Sequence, residues 1–165
     1  EKMIEGFDPV YDENSKILIL GSFPSVVSRE NGFYYGNKRN RFWNLLKEYF
    51  KTDFGDDKVS KEKFLLERKI ALWDVVSSCE IKGSLDADIK NPVIADLGKI
   101  FKTAKIEAVI CNGKKSYDLY RRNFSFDVKT FSLPSTSPAN VRFDKKTWFK
   151  AFDEVNYDER IRYSR

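Results

Sequence analysis

The chain has 165 residues, 41% of them hydrophobic, 33% charged and 15% aromatic, with a formal net charge of +5; that is enough for one domain over 1–165, and basic enough to permit a polyanionic partner. It has no histidine and two cysteines, which excludes Ser-His-Asp and Cys-His catalysis, a Cys/His zinc site and a four-cysteine iron–sulfur cluster. Neither a leader pattern nor an apolar run of ~18 residues stands out, so a soluble, intracellular, cytoplasmic protein without a membrane partner is expected.

Residues 16–20 (KILIL) predict a buried strand that ends at Gly21, Ser22, Phe23, Pro24 and Ser25, where glycine and proline force a turn. Phe42, Leu45, Leu46 and Tyr49 fall at helical spacing, with Trp43 and Phe50 in a neighbouring row, so a helix over 41–50 with a wide apolar face is expected. Ser60 is placed to cap a second helix running to Arg68, and residues 70–76 (IALWDVV) read as a second strand. The polar segment 77–92, with Gly83 and Pro92, predicts a long loop before a helix over about 93–103. Residues 106–111 (IEAVIC) predict a third strand, Asn112 and Gly113 a turn, and 114–124 a helix. A fourth strand over 127–133 leads into Pro134, Ser135, Thr136, Ser137, Pro138, Ala139 and Asn140. A last helix begins near Asp144, and 158–165 reads as a loosely held tail beyond a core of about 7–155.

Strands alternating with helices imply an α/β class fold: a three-layer α/β/α sandwich around a central, mainly parallel four-stranded sheet. Ligands in such folds bind beyond the carboxyl ends of the strands. The loops there are 21–40, 77–91, 112–113 and 134–140.

Those loops contain no G-x-x-x-x-G-K-[ST] stretch for a nucleoside triphosphate and no G-x-G-x-x-G for a dinucleotide cofactor. They offer hydroxyls, asparagine amides, rings and cations instead. Lys38, Arg39 and Arg41, then Lys114 and Lys115, then Arg142, Lys145 and Lys146 follow the strands; they suit a phosphate chain, or are ordinary solvated surface. Phe23, Phe33, Tyr34 and Tyr35 could stack on a planar base or simply cover the first helix. Asn40 stands where an N-cap would, and Asp86 and Asp88 either face a pocket or are solvated.

Four segments in order carry a resemblance: ILILGSFPS (17–25), YYGNKRNRFW (34–43), ICNGKKSYDLY (110–120) and LPSTSPAN (133–140). Together they resemble the uracil-DNA glycosylase superfamily over about 7–155. The GSFPS turn, the Y-Y-G-x-x-R-N-x-F-W segment and LWDVVSSCEIKGSLDADIKN are most similar to its hypoxanthine-DNA glycosylase branch. Thymine-DNA-type relatives carry an asparagine in the first motif that positions the attacking water; Phe23 stands there in this chain and cannot do so.

The resemblance therefore implies that Asn40 takes over catalysis. It implies base contacts from Gly21, Ser22, Phe23, Pro24, Tyr34, Tyr35 and Asn37, and DNA-backbone contacts from Ser25, Lys38, Arg39, Ser135, Thr136, Ser137, Pro138 and Asn140. It implies a monomer that needs no metal and no cofactor and acts on DNA containing a deaminated base, hypoxanthine with uracil as the alternative. A DNA-binding module that has lost catalysis, and an α/β enzyme for a small nucleoside or sugar, are the competing readings.

Overall fold

The computed structural model describes the backbone of residues 3–81 and 89–163, and side chains through Val155. Four parallel strands, β2 (Ile17–Gly21), β3 (Ile70–Asp74), β6 (Ala108–Asn112) and β7 (Lys129–Leu133), form one sheet in the order β3-β2-β6-β7. Every residue of β2 and β3 is buried. Both faces of the sheet are therefore covered, as the unbroken apolar runs ILIL and IALW require.

Among the described residues, six helices complete the layers: α1 (Val26–Asn31), α2 (Phe42–Phe50), α3 (Lys58–Glu67), α4 (Gly98–Thr103), α5 (Lys114–Asn123) and α6 (Lys145–Tyr163). Helix α3 packs on β3, α5 on β6 and β7, and α2 against α6. The aromatic residues concentrate between these elements. Phe42, Trp148 and Phe152 are fully buried, with Phe42 edge-on to Trp43 at 4.9 Å and to Trp148 at 6.3 Å. Burying one such side chain contributes about 1.5–3 kcal/mol, so this cluster fixes where α2 begins.

Several expectations are corrected. The segment 77–92 is not an irregular loop: β4 (Val76–Ile81) and β5 (Ile89–Ile94) pair antiparallel, and with β1 (Met3–Glu5) they make a second sheet, β1-β4-β5. Pro92 is tolerated because β5 is an edge strand of the described sheet, where a missing N–H costs little. Asn91, with φ at 49°, sits where the β4–β5 register is irregular and donates to Glu80 at 2.8 Å. The helix expected over 93–103 shrinks to α4, because β5 and a short link occupy its first half. Asp86 and Asp88 lie outside the described residues.

Helix α3 starts earlier than expected, because Asp57 rather than Ser60 is its cap. The Asp57 carboxylate accepts from the Ser60 N–H at 3.0 Å and from its hydroxyl at 2.7 Å. The loop 21–40 contains α1, which Ser25 caps by accepting from Ser28 N at 3.1 Å and which ends at Gly32, φ 84°. At the other end of the chain, α6 continues through Tyr163 and takes up most of the expected tail.

Candidate active site

The carboxyl ends of β2, β3 and β6, with the loop after β7, enclose a cavity of about 290 Å³. Gly21, Ser22, Phe23, Pro24 and Ser25 form one side, Tyr34, Tyr35, Asn37 and Asn40 a second, and Ser135, Thr136, Ser137 and Pro138 a third. Two residues not named among the expected contacts complete it: Asp74 from the end of β3, and Asn112 of the 112–113 turn from the end of β6. Asn112 had a signal in its place beyond a strand, whereas Asp74 lay inside the run expected as strand over 70–76.

The first side is shaped by close approach. The Gly21 and Ser22 carbonyls accept from Val75 N at 2.8 Å and Val76 N at 3.0 Å, which pins the turn to the start of β4. A methyl group at Gly21 would stand 2.4 Å from Asp74 Oδ1 and 2.9 Å from the Tyr35 hydroxyl, so only glycine lets the buried carboxylate reach the cavity floor. Phe23 lines the cavity while 8% exposed.

The two tyrosines have separate fates. Tyr34 is 2% exposed, and its hydroxyl donates to the carbonyls of Asp8 at 2.7 Å and Phe7 at 3.2 Å. Burial, and then the negative charge of Asp74, push its pKa far above the ordinary phenol value, so it stays neutral. Tyr34 therefore contributes an edge to the wall, with no ring face left for stacking. Tyr35 has a left-handed backbone, φ 53°, and its ring lies 4.3 Å from Phe42. Such a conformation costs of order 1–3 kcal/mol in a non-glycine residue and is held here by the packing around it.

Both asparagines are anchored through their oxygens. Asn40 Oδ1 accepts from Phe42 N at 2.9 Å and Asn37 Oδ1 from Arg39 N at 2.9 Å, while Asn40 N donates to Asn37 O at 2.8 Å. Arg41 is the boundary residue of α2, yet Asn40 supplies the side-chain acceptor for a first-turn donor. An amide carbonyl has two lone pairs, so this anchoring orients Asn40 and leaves one lone pair and its N–H₂ available.

The third side is clamped. Asn112 Nδ2 donates to Thr136 Oγ1 at 3.0 Å, and Asn112 Oδ1 accepts from Thr136 N at 3.0 Å. Thr136, expected at the DNA backbone, is 0% exposed; its N and Oγ1 are held by Asn112 and its carbonyl accepts from Arg41 N at 3.1 Å, so it acts as an internal anchor of the loop. Arg41, expected among the DNA-facing cations, is turned inward: Nη2 donates to the carbonyls of Ser137 and, at 2.7 Å, of Asn140, and the guanidinium lies 4.5 Å from the centre of the Phe143 ring. Asn140 does not line the cavity; its Nδ2 closes the loop on Ser135 O at 2.9 Å. Ser135 and Ser137 remain half-buried at the rim, Ser25 is exposed at the start of α1, and Lys38 and Arg39 are exposed beside the second side. Lys114 and Lys145 are spent on surface pairs with Asp118 and Glu48, both at 2.7 Å.

Among the described residues, no group of three or more His, Cys, Asp or Glu could hold a metal ion. The site thus offers amides, hydroxyls, one buried carboxylate and backbone groups around one cavity.

Comparison with known proteins gives concordant results. The family model for the uracil DNA glycosylase superfamily matches residues 9–158. A hypoxanthine DNA glycosylase of Methanosarcina acetivorans is 38% identical over 144 residues, covering 85% of this chain and 90% of that protein. One from Methanosarcina barkeri is 37% identical over 155 residues, covering 90% and 97%. A solution NMR structure of a Methanosarcina acetivorans protein, named provisionally as a uracil DNA glycosylase, superposes with a TM-score of 0.79 at 32% identity over 93% of this chain and 99% of that one.

Proposed function

The chain belongs to the uracil-DNA glycosylase superfamily, and from that premise we propose that it is a DNA glycosylase that hydrolyses the N-glycosidic bond of a deaminated base, hypoxanthine foremost, and leaves an abasic site. One observation carries the reading: Asn40, Asn37, the 21–24 turn, Asp74 and the 135–138 loop meet around a single cavity. Both hypoxanthine-named relatives cover nearly their full length with this chain, which supports the choice of base.

Flipping the nucleotide out of the duplex costs a few kcal/mol, least where pairing is weak. In the cavity, Asn40 holds water with the lone pair left by its bond to Phe42 N, on the C1′ face of the sugar. The C1′–N bond breaks as the water oxygen bonds C1′; the base departs with the bonding electrons, the water's proton passes to solvent, and solvent in turn protonates the released base. N–H groups of the 21–24 turn and the Asn37 amide stabilise the charge that develops on the base. Asp74 accepts from the N1–H of hypoxanthine or the N3–H of uracil, and its lone pairs repel the bare N1 of adenine. Guanine, which also has an N1–H, is spared by its stronger pairing.

Phe23 and Tyr35 flank the base, and Ser25, Lys38, Arg39, Ser135, Ser137 and Pro138 face the DNA backbone. The protein works as one domain, a monomer inside the cell, where its DNA is; among the described residues no helix is long and apolar enough to cross a membrane. The reaction is monofunctional.

The test is to incubate duplexes and single strands carrying hypoxanthine, uracil or a G·T mismatch, then cleave abasic sites with alkali. Hypoxanthine strands are expected to be cut, and Asn40→Ala to lose about 10²–10³ of the rate while still binding DNA. Cleavage surviving in Asn40→Ala removes Asn40 from its role. No cleavage of any lesion, with DNA binding intact, favours the binding module.

A further inference from the structure

Helix α3 carries a lysine that its surroundings do not neutralise. Lys61 is 8% exposed, and its Nζ lies 5.0 Å from the centre of the Trp43 ring. Among the described residues its side chain has no hydrogen bond and no carboxylate within ion-pair distance. It lines a cleft of about 610 Å³ that backs onto the base cavity, Tyr35, Asn37 and Asn40 being walls of both.

Two carboxylates border the cleft, and both are committed elsewhere. Asp57 caps α3 through Ser60, and Asp56 lies 3.9 Å from Lys47 Nζ. They attract Lys61 only at longer range, and burial nevertheless draws its pKa down. The Nζ itself still touches the solvent of the cleft, so an anion entering there would meet a partly desolvated ammonium that no carboxylate pairs. Lys38 and Lys58 stand in the same walls, with amides from Asn31 and Asn44.

We infer that this cleft is a phosphate subsite, in which Lys61, assisted by Lys38 and Lys58, takes a backbone phosphate of the DNA strand next to the flipped nucleotide. The inference rests on the glycosylase reading for its choice of strand. The two cavities share the wall of Tyr35, Asn37 and Asn40, so a strand whose base enters the first and whose backbone crosses that wall meets the cations of the second.

The experiment measures affinity against salt for a hypoxanthine duplex and for an undamaged duplex of the same sequence. It compares wild type with Lys61→Met, which keeps the length and removes the charge, and with Lys58→Gln at the exposed mouth. A parallel titration with inorganic phosphate follows the Trp43 indole N–H resonance. Lys61→Met is expected to weaken both duplexes by the same severalfold factor at low salt and to make the salt slope shallower by about 0.9, the value for one phosphate; Lys58→Gln gives a smaller change of the same kind. An unchanged slope in both variants overturns the inference, as does a loss confined to the hypoxanthine duplex, which would put Lys61 in base recognition. A phosphate-shifted Trp43 resonance in a protein that does not bind DNA assigns the cleft to free phosphate and overturns the DNA strand as its occupant. If the variants show the shallower slope but the wild type excises no base, the glycosylase reading is refuted and the subsite remains supported.

Discussion

Arg41 Nη2 donates to the carbonyl of Asn140 at 2.7 Å, across 99 positions of sequence. Arg41 follows Asn40 directly, so the residue proposed to hold water and the loop proposed to press on DNA are joined through one guanidinium. Arg41→Ala is expected to lower the excision rate and to cost about 1–3 kcal/mol of stability by thermal unfolding. Arg41→Lys should not restore either, because an ammonium cannot reproduce the planar fork that also stacks on Phe143. The salt slope of DNA binding should stay as in wild type; a shallower slope would return Arg41 to the phosphates.

Thr136→Val preserves shape and removes the hydroxyl that accepts from Asn112 Nδ2. It leaves a part-buried amide unpaired and should cost about 1–3 kcal/mol in urea unfolding. Ser137→Ala, at the rim, should change stability by less than about 0.5 kcal/mol and weaken DNA binding instead. Equal stability losses in the two variants would contradict the division between anchor and contact.

Asp74→Asn keeps the size and removes the charge from the cavity floor. A hydrogen bond to a charged acceptor is worth about 1.5–3 kcal/mol, so hypoxanthine excision should fall roughly 10- to 150-fold. Discrimination against adenine should narrow, because an asparagine can present its N–H₂ to the adenine N1. Single-turnover rates on hypoxanthine and adenine duplexes check both expectations.

Burial pushes the Cys111 thiol up to about 12 from its ordinary 9.0. Between those values the folded protein keeps a proton that the unfolded chain has lost. The stabilising contribution is complete below about pH 9 and disappears as pH rises toward about 12. Urea midpoints should fall from about pH 8 to about pH 10.5, and Cys111→Ala should flatten that dependence. Native Cys111 should also resist alkylation at about pH 8, where almost no thiolate exists.

The sequence was most legible where apolar spacing alone decides the outcome. ILIL and the Phe42, Leu45, Leu46, Tyr49 row could bury themselves in only one way, and β2 and α2 lie where that spacing puts them. Elements without a regular apolar pattern were hidden: β4 (VSSCEI) has two adjacent serines and a glutamate, β5 (IKNPVI) has lysine, asparagine and Pro92 side by side, and α1 has only six residues. In the site, the segments that the motifs singled out meet around one cavity, while the direction of each side chain was beyond motif order. Charge identifies Arg41 as a cation without revealing that loop carbonyls, close only after folding, would be its partners. Asp74 was concealed inside an apolar run, because the turn that exposes it to a cavity depends on Gly21 in another strand.

The bonds that Asn112 and Arg41 make to the 134–140 loop have a consequence for how lesions are found. With both walls joined before any DNA arrives, the entropic cost of ordering the site is met during folding, and each encounter begins from a finished mould. The variable quantity is then the compliance of the DNA. Under the proposed reaction, a helix that yields a base readily would present it to the mould within the time of contact and a firmly paired one would not, so the duplex itself would perform the first sorting of normal from damaged positions.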